Sequence, residues 1–118
     1  MKILEILSGP SYDPVIAYKD AGMLLYELNK SFNYMTNYCG CNCSEYNAVW
    51  NPQFLKSVCV TKISESLEFK QQVLDIKKYI KDHIISYDAV IFFNYGNTTY
   101  KLANLCKQIN PKIVVYVK

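Results

Sequence analysis

The stretch from Tyr87 to Thr99 constrains this chain more than any other. It reads Tyr-Asp-Ala-Val-Ile-Phe-Phe-Asn-Tyr-Gly-Asn-Thr-Thr. Ala89 to Phe93 form an unbroken apolar run with no polar face, so a strand built from them must be covered on both sides. Asn94, Tyr95 and Gly96 then break the run, and a helical pattern starts at about Thr98. A doubly covered strand that feeds a glycine turn and a helix belongs to a parallel α/β sheet. In such sheets ligands bind beyond the carboxyl ends of the strands.

The rest of the chain repeats this grammar. Residues 2–8 alternate, with Leu4, Ile6 and Ser8 facing one way and Ile3, Glu5 and Leu7 the other. Ser8-Gly9-Pro10-Ser11 ends this first strand. A helix begins at Asp13-Pro14 or at Asp20 and runs to about Lys30, with Ala17, Ala21, Leu24, Leu25 and Leu28 as its apolar stripe. Residues 32–39 alternate as a second strand, with Phe32, Tyr34, Thr36 and Tyr38 on one face. Residues 40–56 lack periodicity and read as a long loop. Residues 57–62 form a third strand. Ser64 or Ser66 caps a long amphipathic helix carrying Phe69, Val73, Ile76, Ile80 and Ile84, with Glu65 and Glu68 expected in its first turn. The fourth strand occupies 88–93. The next helix, capped by Asn97, turns Leu102, Leu105, Cys106 and Ile109 inward and stops at Asn110-Pro111. Residues 112–117 are a last strand.

This order predicts one Rossmann-like α/β domain over 1–118. It has a doubly wound parallel sheet of about five strands in the order 3-2-1-4-5 and three main helices. The ligand crevice should open between strands one and four.

Composition removes several classes of function. With 118 residues, 51% of them hydrophobic and 19% charged, the chain suits one globular core. No apolar run reaches the roughly 20 residues needed to span a bilayer. The charged N-terminal strand is not a secretory signal, which predicts a cytoplasmic protein. All thirteen basic residues are lysine, spread along the chain with one cluster at Lys77, Lys78 and Lys81. A nucleic-acid partner is not expected without arginines or a basic stripe. Five cysteines, an odd number, argue against a disulfide framework. Cys39, Cys41 and Cys43 alternate but lack a fourth ligand, so no metal site is expected. His83, the single histidine, falls at the amino edge of the sheet, and no Ser/His/Asp set can be built on it.

Two loops remain as candidate substrate-binding elements. Ser8, Gly9, Pro10, Ser11 and Tyr12 offer backbone amides to a phosphate or sugar, but one glycine is not a dinucleotide or phosphate-loop fingerprint. Asn94, Tyr95, Gly96, Asn97 and Thr98 offer amides, hydroxyls and a ring suited to sugar hydroxyls and faces. Helix capping is an equally good account of Asn97 and Thr98. No catalytic residue and no cofactor can be assigned.

Lys2-Ile-Leu-Glu-Ile-Leu-Ser-Gly-Pro10, Ala21-Gly-Met-Leu-Leu-Tyr-Glu-Leu28, Tyr87-Asp-Ala-Val-Ile-Phe-Phe93 and Asn110-Pro-Lys-Ile-Val-Val-Tyr-Val-Lys118 together resemble the N-terminal domain of a GT-B glycosyltransferase of the family 4, group 1 type. The resemblance implies an acceptor-binding half that takes a sugar or lipid-linked acceptor. It would transfer a sugar from a nucleotide-sugar donor only together with a C-terminal domain. That domain's paired glutamates (E-x₇-E) are missing here, so a truncated or split enzyme, inactive alone, is expected. On this resemblance Gly9 and its neighbours face the donor phosphates, and Asn94 to Gly96 face the acceptor. The rival expectation is a stand-alone flavodoxin-like interaction module whose edge strand at 112–117 pairs with a partner chain. A small flavin or nucleotide protein is a third.

Overall fold

The computed structural model describes residues 1–7, 21–41, 59–93 and 96–118. Among the described residues five strands form one parallel sheet: β1 (Lys2–Leu7), β2 (Met35–Cys41), β3 (Cys59–Ser64), β4 (Ala89–Phe93) and β5 (Val114–Val117). Their order is β3-β2-β1-β4-β5, as the alternation of elements predicts. Among the described residues three helices accompany them: α1 (Ala21–Phe32), α2 (Phe69–His83) and α3 (Asn97–Ile109). A short 3₁₀ turn at Ile84–Ser86 leads from α2 towards β4. The fold is therefore α/β and Rossmann-like.

The two faces of the sheet have separate cores. Ile3, Leu7 and Ile91 pack with Leu25 of α1, and Leu24 and Leu28 close around them. On the opposite face Leu4, Ile6, Cys39, Val90 and Phe92 pack with Ile76 and Ile80 of α2 and Leu102 and Cys106 of α3. The alternation in β1 thus sends odd and even residues into different cores. Val90, Ile91 and Phe92 are all buried, which accounts for the unbroken apolar run in β4.

Buried polar groups tie the strands to the helices. Asn110 lies just past α3, and its Nδ2 donates to the carbonyls of Tyr87 at 3.0 Å and Ile84 at 3.3 Å. This links the end of α3 to the turn before β4. On β2, the Asn37 carboxamide accepts from Thr61 Oγ1 at 3.0 Å and donates to the hydroxyls of Tyr87 at 2.8 Å and Tyr79 at 3.2 Å. Burial, reinforced by Cys39 and Tyr87, pushes the Tyr79 hydroxyl well above the usual phenol range. The cluster is a network that joins β2, β3 and α2.

Several element boundaries differ from the sequence expectation. Phe32 ends α1 instead of starting β2. Asn33 has φ 56, and its N–H donates to Asn29 O at 2.8 Å, a left-handed helix stop. Gly40 and Cys41 belong to β2 rather than to a loop, pairing with Lys62 and Ser64 across a register shift. The cap of α2 is displaced as well. Its N-cap residue is Glu68, whose side chain makes no capping hydrogen bond, so neither Ser64 nor Ser66 is the N-cap residue and neither Glu65 nor Glu68 lies in its first turn. Ser66 Oγ instead accepts from Glu68 N at 3.0 Å, a local serine turn ahead of the helix. Ser64 Oγ donates to Asp75 Oδ2 at 2.5 Å, and Glu65 pairs with Lys62. The possible start of α1 at Asp13 and the part of the expected loop from residue 42 onward lie outside the described residues.

Candidate functional site

The sheet order fixes where a ligand site belongs. β1 connects through α1 to β2 on one side, while its neighbour on the other side, β4, is reached from β3. The direction of winding reverses at the β1–β4 pair, and Leu7 lies opposite Phe93 at its carboxyl end. This is the switch point at which doubly wound sheets leave a crevice.

Of the ten candidate binding residues, Ser8, Gly9, Pro10, Ser11, Tyr12, Asn94 and Tyr95 lie outside the described residues. Gly96, Asn97 and Thr98 are described, and they sit at the start of α3, directly beyond β4. Gly96 is the N-cap residue, so the expectation that Asn97 caps α3 is corrected: Asn97 is the first helical residue. Gly96 has extended backbone and carries no side chain, so the N-cap residue itself offers no side-chain oxygen to the end of the helix. A Cβ added at Gly96 would meet no atom within 4 Å, so the space above it is open. Asn97 is exposed and Thr98 half-buried. The first helical hydrogen bond runs from Tyr100 N to Gly96 O at 3.0 Å.

Below this edge lies a group that the sequence reading passed over. Glu5 sits in the middle of β1, on the α1 face between Ile3 and Leu7, and is fully buried. Neither carboxylate oxygen has a hydrogen-bond partner among the described residues. Burial pushes the carboxyl up to about 9, a rise that the Lys118 ammonium partly opposes. Glu5 is therefore a neutral acid at neutral pH. The hydroxyl of Thr36 is likewise buried and unpartnered. Lys118 follows β5, and its Nζ lies 5.5 Å from the centroid of the Phe93 ring. A lone acid in an otherwise apolar central strand is the signal that would have located Glu5. Once both faces of β1 are covered, its side chains from Ile3 to Leu7 are all buried.

Other grooves among the described residues lie elsewhere. One at the amino edge, of about 200 Å³, is lined by Lys2, Met35, Thr36, Asn37 and Tyr87. A second lies beside β3 and includes Lys62, Asp75, Tyr79 and His83. A third, between α2 and α3, is lined by Lys77, Lys81, Lys101, Asn104, Leu105 and Gln108. His83 is exposed at the end of α2, its ring 4.4 Å from that of Tyr79. Among the described residues no three His, Cys, Asp or Glu side chains gather as metal ligands. Cys39 and Cys106 are buried, and burial pushes the Cys106 thiol up to about 12. Cys43 lies outside the described residues. Among the described residues no helix is long and apolar enough to cross a membrane.

No family model, curated protein or solved structure matches the chain.

Proposed function

We propose that the carboxyl edge of β1 and β4 is the acceptor-binding wall of a glycosyltransferase-like domain. Transfer from a nucleotide sugar would then need a separate donor-binding domain or chain. The observation that carries this reading is the strand order, which puts the Gly96-Asn97-Thr98 start of α3 beside the switch point. The open space over Gly96 and the exposed Asn97 carboxamide also favour it. Carboxamides and hydroxyls at a helix start are suitable partners for sugar hydroxyls. The resemblance to the N-terminal domain of GT-B enzymes supplies the reaction class. A cytoplasmic location and a sugar or lipid-linked acceptor go with this reading, and nucleic acid does not.

Saturation-transfer NMR with methyl and octyl glycosides, and separately with UDP-glucose, tests it. The glycosides are expected to show transfer, and Asn97→Ala to weaken binding by about fivefold, the loss of one net hydrogen bond. UDP-glucose is expected neither to bind tightly nor to be hydrolysed by this chain alone. Tight UDP-glucose binding with no glycoside signal would overturn the reading.

A further inference from the structure

The β5 edge carries an inference that stands apart from the sugar reading. Val114 N donates to Asp88 O at 3.0 Å and Lys118 N to Phe92 O at 2.9 Å, so these amides point inward to β4. Hydrogen-bonding direction alternates along a strand. The N–H and C=O groups of Val115 and Val117 therefore point outward, where no described strand lies. The side chains at this edge are apolar and bare. Val114 is 63% exposed and Tyr116 54%, because α1 lies over β1 and β2 on their face of the sheet.

Strand edges of this kind pair with another extended segment unless something prevents it. The surrounding charge decides which segment fits. Lys112 and Lys118 flank the strand, and both are exposed. Lys107 of α3 reaches across and donates to Pro111 O at 3.0 Å and Ile113 O at 2.8 Å, placing a third ammonium at the start of the edge. α3 contains no acid. Asp88, beside the start of β4, is engaged by Lys2 N at 2.7 Å. Antiparallel pairing of two copies about Val115 would set Lys112 of each opposite Lys118 of the other. Like charges directly opposed across strands are destabilising. The lysines thus oppose self-pairing and favour a segment with acids at the same positions.

We infer that the β5 edge is a docking site for an extended segment of a partner protein, apolar at its centre and acidic at both ends, added as a sixth strand beside β5. Its backbone would bond to Val115 and Val117, and its acids would face Lys112 and Lys118.

The test uses a labelled peptide, Glu-Thr-Val-Thr-Val-Thr-Glu, and its counterpart with lysine at both ends. Fluorescence anisotropy and amide hydrogen exchange are read on the whole chain. The acidic peptide is expected to bind at least about tenfold more tightly, with affinity falling as salt rises. It should slow exchange at Val115 and Val117. Val117→Pro removes an outward N–H without touching the inward ladder, and is expected to abolish binding while leaving the exchange of Val114 and Tyr116 amides as in the parent. Lys112→Glu together with Lys118→Glu should reverse the peptide preference without requiring any change in fold. Equal binding of both peptides, no protection at Val115 and Val117, or sedimentation as a dimer of the chain alone would each overturn the inference.

Discussion

At about pH 8, Glu5→Gln is expected to unfold at a clearly higher urea concentration than the parent protein, and at about pH 5 the two should nearly coincide. Glu5 is fully buried without a hydrogen-bond partner among the described residues, and its carboxyl is pushed from 4.5 to about 9. The folded state therefore holds a proton that the unfolded chain releases above 4.5. Folding takes up that proton, so the Glu5 contribution to stability falls as pH rises through the window from 4.5 to about 9 and is level outside it. The slope inside the window approaches about 1.4 kcal/mol per pH unit for one proton. Glutamine keeps the size and polarity of the neutral acid but cannot ionise, so the slope should disappear. Urea denaturation followed by circular dichroism across this range measures it. Parallel profiles for Glu5→Gln and the parent would mean that the carboxyl is ionised and compensated in the fold.

The second large effect is at Phe92. Its side chain is fully buried in the core formed with α2 and α3. Phe92→Ala removes most of a large side chain from a site enclosed by Ile6, Ile80, Leu102 and their neighbours, where little can collapse into the gap. A loss of about 3–5 kcal/mol is expected. That is a large share of the roughly 5–15 kcal/mol that holds a domain of this size together. Tyr116→Thr, one strand further out, is the control. Tyr116 is 54% exposed, so this change should alter stability by less than about 1 kcal/mol. Equal losses at the two positions would contradict the assignment of β4 as central and β5 as edge.

These two positions also show how much the sequence discloses. Both β4 and β5 are apolar runs in the chain, and their period says only that each can be a strand. The strand order is readable because Ala89 to Phe93 is too apolar for any position but the centre of a covered parallel sheet, and because helices alternate with strands. Boundaries were less legible where two local signals compete. Phe32 fits the alternation of Tyr34 and Thr36, yet the left-handed turn at Asn33 places it in α1. Ser64 and Ser66 both have the chemistry of caps. Ser64 is held by Asp75 and Ser66 by Glu68 N, and the helix begins a few residues later. The site was the least legible part. Glu5 looks in sequence like a charge that breaks an apolar run. Its burial follows from β1 lying between β2 and β4 with α1 packed over the face that carries Ile3, Glu5 and Leu7.

Ligands are expected to meet this domain at the carboxyl edge of β1 and β4. The most direct measurement is a backbone amide shift map of the isotope-labelled chain titrated with octyl β-glucoside. Shifts are expected to concentrate at Leu7, Phe93, Gly96, Asn97 and Thr98. Shifts concentrated instead at Lys2, Met35, Asn37 and Tyr87, around the groove at the amino edge, would contradict it.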